Sequence, residues 1–188
     1  MLLSAHIVTA GMPHPSEFSF RAVAEADLPL LQEWLTRPHV AAWWDDPGSI
    51  DQLRDDYVTH AHEPRATLAY IASRGGRDVG FIQCYCVMGC GGGWWEDETD
   101  PGARGIDQFL ADGAALSQGI GRALIRAFIQ RVFADPAVTV IQTDPDPTNE
   151  RAIRCYVAAG FRPVGTVATP DGDALLLKID RLAPRVII

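Results

Sequence analysis

Two aspartates stand beside apolar strand-like segments, where a carboxylate could accept a proton or bind a cation. Asp107 lies inside the apolar run 106–110, and an unpaired carboxylate is costly in such a setting. It must therefore be paired within the core or face a cleft. Asp144 ends the β-rich run 138–143. It could hold an ammonium group, or it could cap the turn before Pro145.

A glycine pair marks a possible phosphate site. Residues 116–123 read Leu-Ser-Gln-Gly-Ile-Gly-Arg-Ala and lie between a predicted strand and a predicted helix. Glycine lets the backbone approach a ligand, and the first N–H groups of a helix, together with its dipole, bind phosphate. The same glycines would also serve a tight strand-to-helix turn. This motif alone leaves both interpretations open.

Four of the five tryptophans form two adjacent pairs, Trp43-Trp44 and Trp94-Trp95. Indole rings can cover sugar faces, and they attract cations. One member of each pair could instead pack in the core. Tyr57 follows the first pair and is open to the same two interpretations. The acidic run 96–100 is typical of a solvated loop.

Composition limits the kinds of partner. The chain has 188 residues, enough for one domain, with 16 Lys+Arg against 24 Asp+Glu and a formal charge of −8. This balance argues against binding to nucleic acid or to an anionic membrane surface, and it suits a small cationic ligand. No apolar run is long enough to span a membrane. The four cysteines and five histidines lack metal-ligand spacing, so we expect no metal and free thiols in a cytoplasmic protein.

Local patterns predict one α/β domain with a mixed sheet. Asp27 is expected to cap a helix that Pro38 stops, and a Ser49-to-Gln52 capping box opens a second helix that ends before Pro64. Gly75-Gly76 predicts a hairpin. Residues 1–16 read as an extension, 17–182 as the domain and 183–188 as a tail. The predicted strands are 17–23, 66–73, 79–87, 105–111, 138–143, 161–167 and 174–179, and the later helices are 119–133 and 148–159.

Two signatures then point to a family. The Gly-x-Gly helix entry, the following strand and the pattern N-x-x-A-I-x-x-Y-x-x-x-G-F from Asn149 to Phe161 resemble the GCN5-related N-acetyltransferases (GNAT). The resemblance implies acetyl-CoA as cosubstrate, and a mostly antiparallel mixed sheet of about six or seven strands flanked by about four helices.

A narrower resemblance, to the aminoglycoside 6′-N-acetyltransferases, covers about residues 20–179. It implies acetyl transfer from acetyl-CoA to the 6′-amine of an aminoglycoside by direct attack in a ternary complex, and antibiotic resistance. The segments that carry it are Glu33-Trp34-Leu35, Trp43-Trp44, Gly93-Trp94-Trp95-Glu96, Glu98 to Gly102, Arg104 to Gln108, Gln142 to Pro145 and Thr169 to Gly172.

This family resemblance implies roles for individual residues. Asp107 stands at the base position, and Tyr156 becomes the candidate acid that protonates the departing thiolate, although its helix face also fits a core tyrosine. The implied cofactor-binding residues are Gln118, Gly119, Ile120, Gly121, Arg122, Ala123 and Asn149, the last of which could also be a helix cap. The implied substrate-binding residues are Trp44, Tyr57, Trp95, Asp107, Asp144 and Asp171, the last also typical of a Pro-Asp-Gly turn.

Two other functions share these features. A GNAT enzyme could acetylate a polyamine or a protein amine, although a polyamine has no sugar face for the tryptophans to cover. A non-catalytic module could bind acetyl-CoA or the drug without turnover, against which the presence of both Asp107 and Tyr156 argues. The sequence leaves the oligomeric state, monomer or homodimer, open.

Overall fold

The computed structural model describes residues 17–44, 48–62 and 66–181. The predicted extension 1–16 and tail 183–188 lie outside the described residues. The strands are β1 (Phe18–Ala22), β2 (Leu68–Arg74), β3 (Arg77–Cys86), β4 (Ala103–Leu110), β5 (Val140–Thr143), β6 (Arg162–Thr169) and β7 (Gly172–Asp180). The helices are α1 (Leu28–Leu35), α2 (Pro38–Ala41), α3 (Ile50–Arg54), α4 (Ile120–Val132) and α5 (Glu150–Ala159).

The strands form one sheet in the order β1-β2-β3-β4-β5-β7-β6. Only β4 and β5 run parallel, and the other neighbours are antiparallel. The expected α/β fold with a mixed, mostly antiparallel sheet of seven strands is confirmed. Among the described residues, no helix is long and apolar enough to cross a membrane.

Each sheet face carries its own core because side chains alternate along a strand. Ile106 of β4 belongs to the cluster that packs under α4 and α5, with Leu124 and Phe128 among its fully buried members. Phe109 points to the opposite face, where it joins Leu31 of α1. Asp107 has the same parity as Phe109, and so it shares the face covered by α1, α2 and α3.

Strands β4 and β5 are paired over only three residues each, and beyond that point they diverge. Its register covers only Ala103–Gly105 opposite Val140–Gln142, while β4 continues to Leu110. A strand edge that leaves its neighbour presents backbone N–H and C=O groups that need other partners. The sheet thus opens between β4 and β5 on the side of Asp107 and Asp144.

The first predicted helix is confirmed at its end but not at its cap. α1 ends at Leu35, before Pro38, and Pro38 also begins a short helix that was not predicted, α2, at a position where its fixed φ and missing N–H are tolerated. Asp27 does not cap α1 through its side chain. A 3-10 turn precedes α1, so the Asp27 carboxylate reaches back to the N–H of Ala24, 3.0 Å away, and pairs with Arg21.

The Ser49 capping box is confirmed. Its hydroxyl accepts from the N–H of Gln52, and the Gln52 side chain accepts from the N–H of Ser49. The regular α-helix is shorter than predicted, because α3 changes to a π-helical turn over Asp55–Thr59.

Candidate active site

A cavity of about 560 Å³ lies beside the part of β4 that continues past its pairing with β5. Its walls come from the end of β4, the start of α4, one face of α5, and α2 with the residues that follow it. The predicted residues that line it are Trp44, Gln118, Gly119, Gly121, Arg122 and Asn149. The sheet opening and the glycine motif therefore belong to one site.

The loop that precedes α4 has a backbone conformation suited to binding an anion. Ser117 and Gly119 both have positive φ, 61° and 80°, and successive N–H groups in such turns form an anion-binding concavity. Gly121 permits a close helix contact instead, because a β-carbon there would lie 3.2 Å from Cys155 Sγ. The Ala123 N–H already donates to the Gly119 carbonyl, so this predicted residue cannot offer that group to a ligand.

The other predicted residues of this motif also have structural contacts. Ile120 packs against the α4–α5 core. The Gln118 side chain donates to the Ala114 carbonyl at 2.5 Å. Asn149 caps α5, with its side-chain oxygen accepting from the Ala152 N–H at 3.1 Å, and it lines the cavity at the same time.

Asp107 projects from β4, and its hydrogen-bond partner among the described side chains is Gln83. Gln83 of β3, its register partner, donates from Nε2 to a carboxylate oxygen at 2.9 Å. Burial raises the pKa of Asp107 above its usual range, and the Gln83 hydrogen bond opposes that rise only in part. The carboxylate is thus poorly solvated, and it gains from any cation or proton brought to it.

Asp144 is coupled to Asp107 and Asp171. Burial raises the pKa of Asp144 to about 7, with further contributions from the charges of Asp107 and Asp171. Asp171 is exposed in the turn between β6 and β7. A buried carboxylate whose proton affinity is raised by two further carboxylates makes a site suited to a ligand with several ammonium groups.

An aromatic wall stands over the same sheet face. The Trp44 ring meets Phe81 at 5.6 Å and Phe109 at 5.1 Å between centroids, and Tyr57 meets Phe81 at 5.3 Å. Trp44 and Tyr57 are both half-buried. Trp43 is 44% exposed, so the interpretation of Trp43 as a core residue is wrong, and its ring lines the cavity.

Trp95 packs in a different cluster from Trp44. Its φ of 51° is in the left-handed region that a bulky residue adopts only when its surroundings hold it there. The ring packs against a small buried cluster of Val87, Ala103 and Val140. Trp94 lies 6.2 Å away, tilted by 46°.

Tyr156 is a core residue whose hydroxyl interacts electrostatically with the carboxylates. Its ring is 4% exposed in the core and meets Phe161 edge-on at 5.3 Å. Burial and the charges of Asp107 and Asp144 raise the pKa of its hydroxyl, against a hydrogen bond with Thr143. The ring is therefore structural, while the hydroxyl lies within the electrostatic range of the carboxylate pair.

Comparison with known proteins decides the family. Residues 23–169 match the acetyltransferase (GNAT) domain. The chain is 45% identical over 168 residues to an aminoglycoside N(6′)-acetyltransferase type 1 of Klebsiella pneumoniae, an alignment covering 88% of this chain and 84% of that protein. This chain belongs to the GNAT acetyltransferase family.

Solved structures place this GNAT acetyltransferase beside the same relatives. The crystal structure of AAC(6′)-Ib with coenzyme A and kanamycin superposes with a TM-score of 0.82 at 45% identity, covering 87% of this chain and 95% of that one. A kanamycin resistance protein of Rhizobium radiobacter is 58% identical over 92 residues, which are 49% of this chain and 85% of that protein.

The sequence analysis did not single out Tyr85, a residue that interacts electrostatically with the two carboxylates. Its ring lies across Gly105, its register partner on β4, so that a β-carbon there would stand 2.1 Å from Tyr85 Cζ and 2.5 Å from its hydroxyl oxygen. Burial and the charges of Asp107 and Asp144 raise the pKa of Tyr85. A glycine inside a predicted strand was the available signal, since it often marks a close approach.

We expect Gly105→Ala to lower the stability of the acetyltransferase, because the new methyl group would displace the Tyr85 ring. Overpacking of this kind costs about 1–3 kcal/mol in the free energy of unfolding, measurable by urea denaturation. In a Tyr85→Ala background the same change should cost little, because the space is then empty. An equal cost in both backgrounds would contradict the proposed contact.

Proposed function

We propose that this chain transfers the acetyl group of acetyl-CoA to the 6′-amine of aminoglycoside antibiotics, and so confers resistance to them. The observation that carries the proposal is the electrostatically coupled set Asp107, Asp144 and Asp171 beside an aromatic wall, at the opening of the sheet. Aminoglycosides combine several ammonium groups with sugar rings. The relatives named above act on, or are bound to, compounds of this class.

The donor occupies the cavity beside β4. Its pyrophosphate lies at the start of α4, where the N–H groups that follow Gly119 and the dipole of a 13-residue helix favour a double anion. The pantetheine arm, which carries amide groups, runs along the backbone of β4 beyond Gly105. A backbone N–H of that strand, or of the strand after it, polarises the thioester carbonyl.

Asp107 accepts a proton from the 6′-ammonium, directly or through one water. An ammonium group cannot attack a thioester, and an amine of this kind has an unperturbed pKa of about 10. The poorly solvated carboxylate has a raised proton affinity, which favours this transfer. The free amine then attacks the carbonyl carbon and the C–N bond forms; the nitrogen loses its second proton to solvent water, and the C–S bond breaks to release the CoA thiolate.

Tyr156 supplies the proton to that thiolate. Burial and the nearby carboxylates raise the pKa of its hydroxyl, so the phenol is protonated at neutral pH; it gives its proton to the thiolate as the C–S bond breaks, and solvent water then restores the phenol. We therefore expect Tyr156→Phe to lower kcat about 10- to 100-fold with acetyl-CoA affinity unchanged. Stopped-flow turnover and a binding titration check this, and an unchanged kcat would leave Tyr156 with a packing role alone.

Transfer is direct, without an acetyl-cysteine. Cys155 lines the cavity and Cys90 lies in the glycine-rich loop, but burial raises the pKa of both thiols above the usual value. A thiol with a raised pKa is a poor nucleophile at neutral pH. All four cysteines are free, which fits a reducing cytoplasm. Initial-velocity lines that intersect are expected; parallel lines would contradict direct transfer.

The experiment that tests this function is release of CoA thiol from acetyl-CoA with two acceptors. Kanamycin should give release, and a kanamycin analogue with a hydroxyl at 6′ should give none. Release with both would contradict the 6′-amine as acceptor. Release with neither, from protein that binds acetyl-CoA, would contradict the aminoglycoside substrate and leave the family unchanged.

A further inference from the structure

The charge of the cofactor cavity is opposite to that of the whole chain. The protein has a formal charge of −8. Among the described residues that line the cavity, however, every side chain with a permanent charge is an arginine: Arg122, Arg151 and Arg154. A concentration of cations in an acidic protein indicates a multiply anionic ligand.

The three arginines occupy two separate places. Arg122 belongs to α4, and its Nη2 lies 3.7 Å from the point where a β-carbon on Gly119 would stand. It therefore covers the glycine loop that receives the pyrophosphate. Arg151 and Arg154 lie on α5, three residues apart and thus on one helix face. They are exposed at the rim of the cavity, whereas Cys155 of the same helix faces Gly121 at its floor.

The rim pair is available for a ligand. Arg151 makes no hydrogen bond or ion pair with another described side chain. Arg154 pairs with Glu150 at 2.8 Å, but the two side chains are 70% and 77% exposed. Such a surface ion pair contributes little and exchanges readily for a stronger partner. A phosphate monoester is such a stronger partner, because its charge is close to −2 at neutral pH.

We infer that Arg151 and Arg154 bind the 3′-phosphate of the CoA donor and make the enzyme selective for CoA thioesters over dephospho-CoA thioesters. This inference rests on the proposed function, since it assigns the outer part of the same donor. The pyrophosphate is bound by the start of α4 and by Arg122, and the 3′-phosphate is the remaining anionic group of CoA.

Binding of acetyl-CoA and of acetyl-dephospho-CoA, measured by calorimetry without acceptor, tests the inference. The unaltered protein should bind acetyl-CoA about 10- to 100-fold more tightly, the range expected for charge-assisted hydrogen bonds to one phosphate. Arg151→Gln with Arg154→Gln should remove most of that preference by weakening acetyl-CoA alone. Arg122→Gln should weaken both thioesters by a similar factor.

A matched control removes the same number of positive charges away from the cavity. Arg77→Gln with Arg162→Gln removes two exposed arginines, of β3 and β6, that do not line the cavity, and it should leave both dissociation constants unchanged. Equal affinity of the unaltered protein for the two thioesters, or a preference that survives the double substitution, would overturn the inference while leaving the proposed function intact. Failure to bind either thioester would overturn both.

Discussion

Asp107→Asn should lower kcat/KM for kanamycin by about two to four orders of magnitude, the range that a positioned general base contributes. The asparagine side chain keeps the shape and can still accept the Gln83 hydrogen bond, but it cannot take a proton from the attacking ammonium. Acetyl-CoA binding should be unchanged, because Asp107 is not among the residues that line the donor cavity.

Thiol release measured across pH separates this role from a structural one. The unaltered enzyme should gain kcat/KM as the coupled carboxylates lose their protons, whereas the residual activity of Asp107→Asn should depend on the ionisation of Asp144 and of the drug amine alone. The apparent pKa values belong to the pair rather than to either residue. Asp180→Asn, at an exposed ion pair of the sheet edge, is the matched control and should retain full activity. A loss of less than tenfold for Asp107→Asn would remove the base assignment.

The sequence was informative where local pattern and chemistry agree. Asp107 in an apolar strand and Asp144 at a strand end were placed correctly, because alternation and turn residues determine those positions. The order β4–α4–β5 favours a parallel pair, but periodicity does not show that the pairing ends at Gly105. The resemblance to a family, rather than the pattern, brought these two residues together.

The residues that sequence analysis did not identify have sequence contexts that are common in proteins. Tyr85 has the same alternation as a core tyrosine, and only the structure shows its ring lying across Gly105. Arg151 and Arg154 occupy the exposed face of an amphipathic helix, where arginine is common. Their position at the cavity rim depends on how α5 packs beside α4. The start of α2 at Pro38 was also not predicted, because a proline that follows a helix is usually interpreted as the end of helical structure.

Asp144→Asn should mainly weaken binding of the aminoglycoside. A carboxylate that pairs with an ammonium group away from bulk water contributes enough for a rise in KM of about 10- to 100-fold, while kcat changes little because Asp144 takes no proton in the reaction. For the unaltered enzyme, 1/KM should rise with pH through about 7, where burial and the neighbouring charges set the pKa of Asp144. The variant should lack this limb, and a fall in kcat without a change in KM would contradict a binding role.

The same substitution should stabilise the enzyme without its ligands. Because the folded-state pKa of Asp144 is raised to about 7, folding favours the protonated carboxyl, and ionisation opposes folding. The free energy of unfolding should therefore fall as pH rises from about 4 to about 7, and it should fall less in Asp144→Asn. Melting curves should show the variant more stable at pH 8 and the two proteins equal below pH 4. A cationic substrate reverses the penalty by neutralising the carboxylate, so a group that weakens the fold of the free enzyme strengthens its binding of an aminoglycoside.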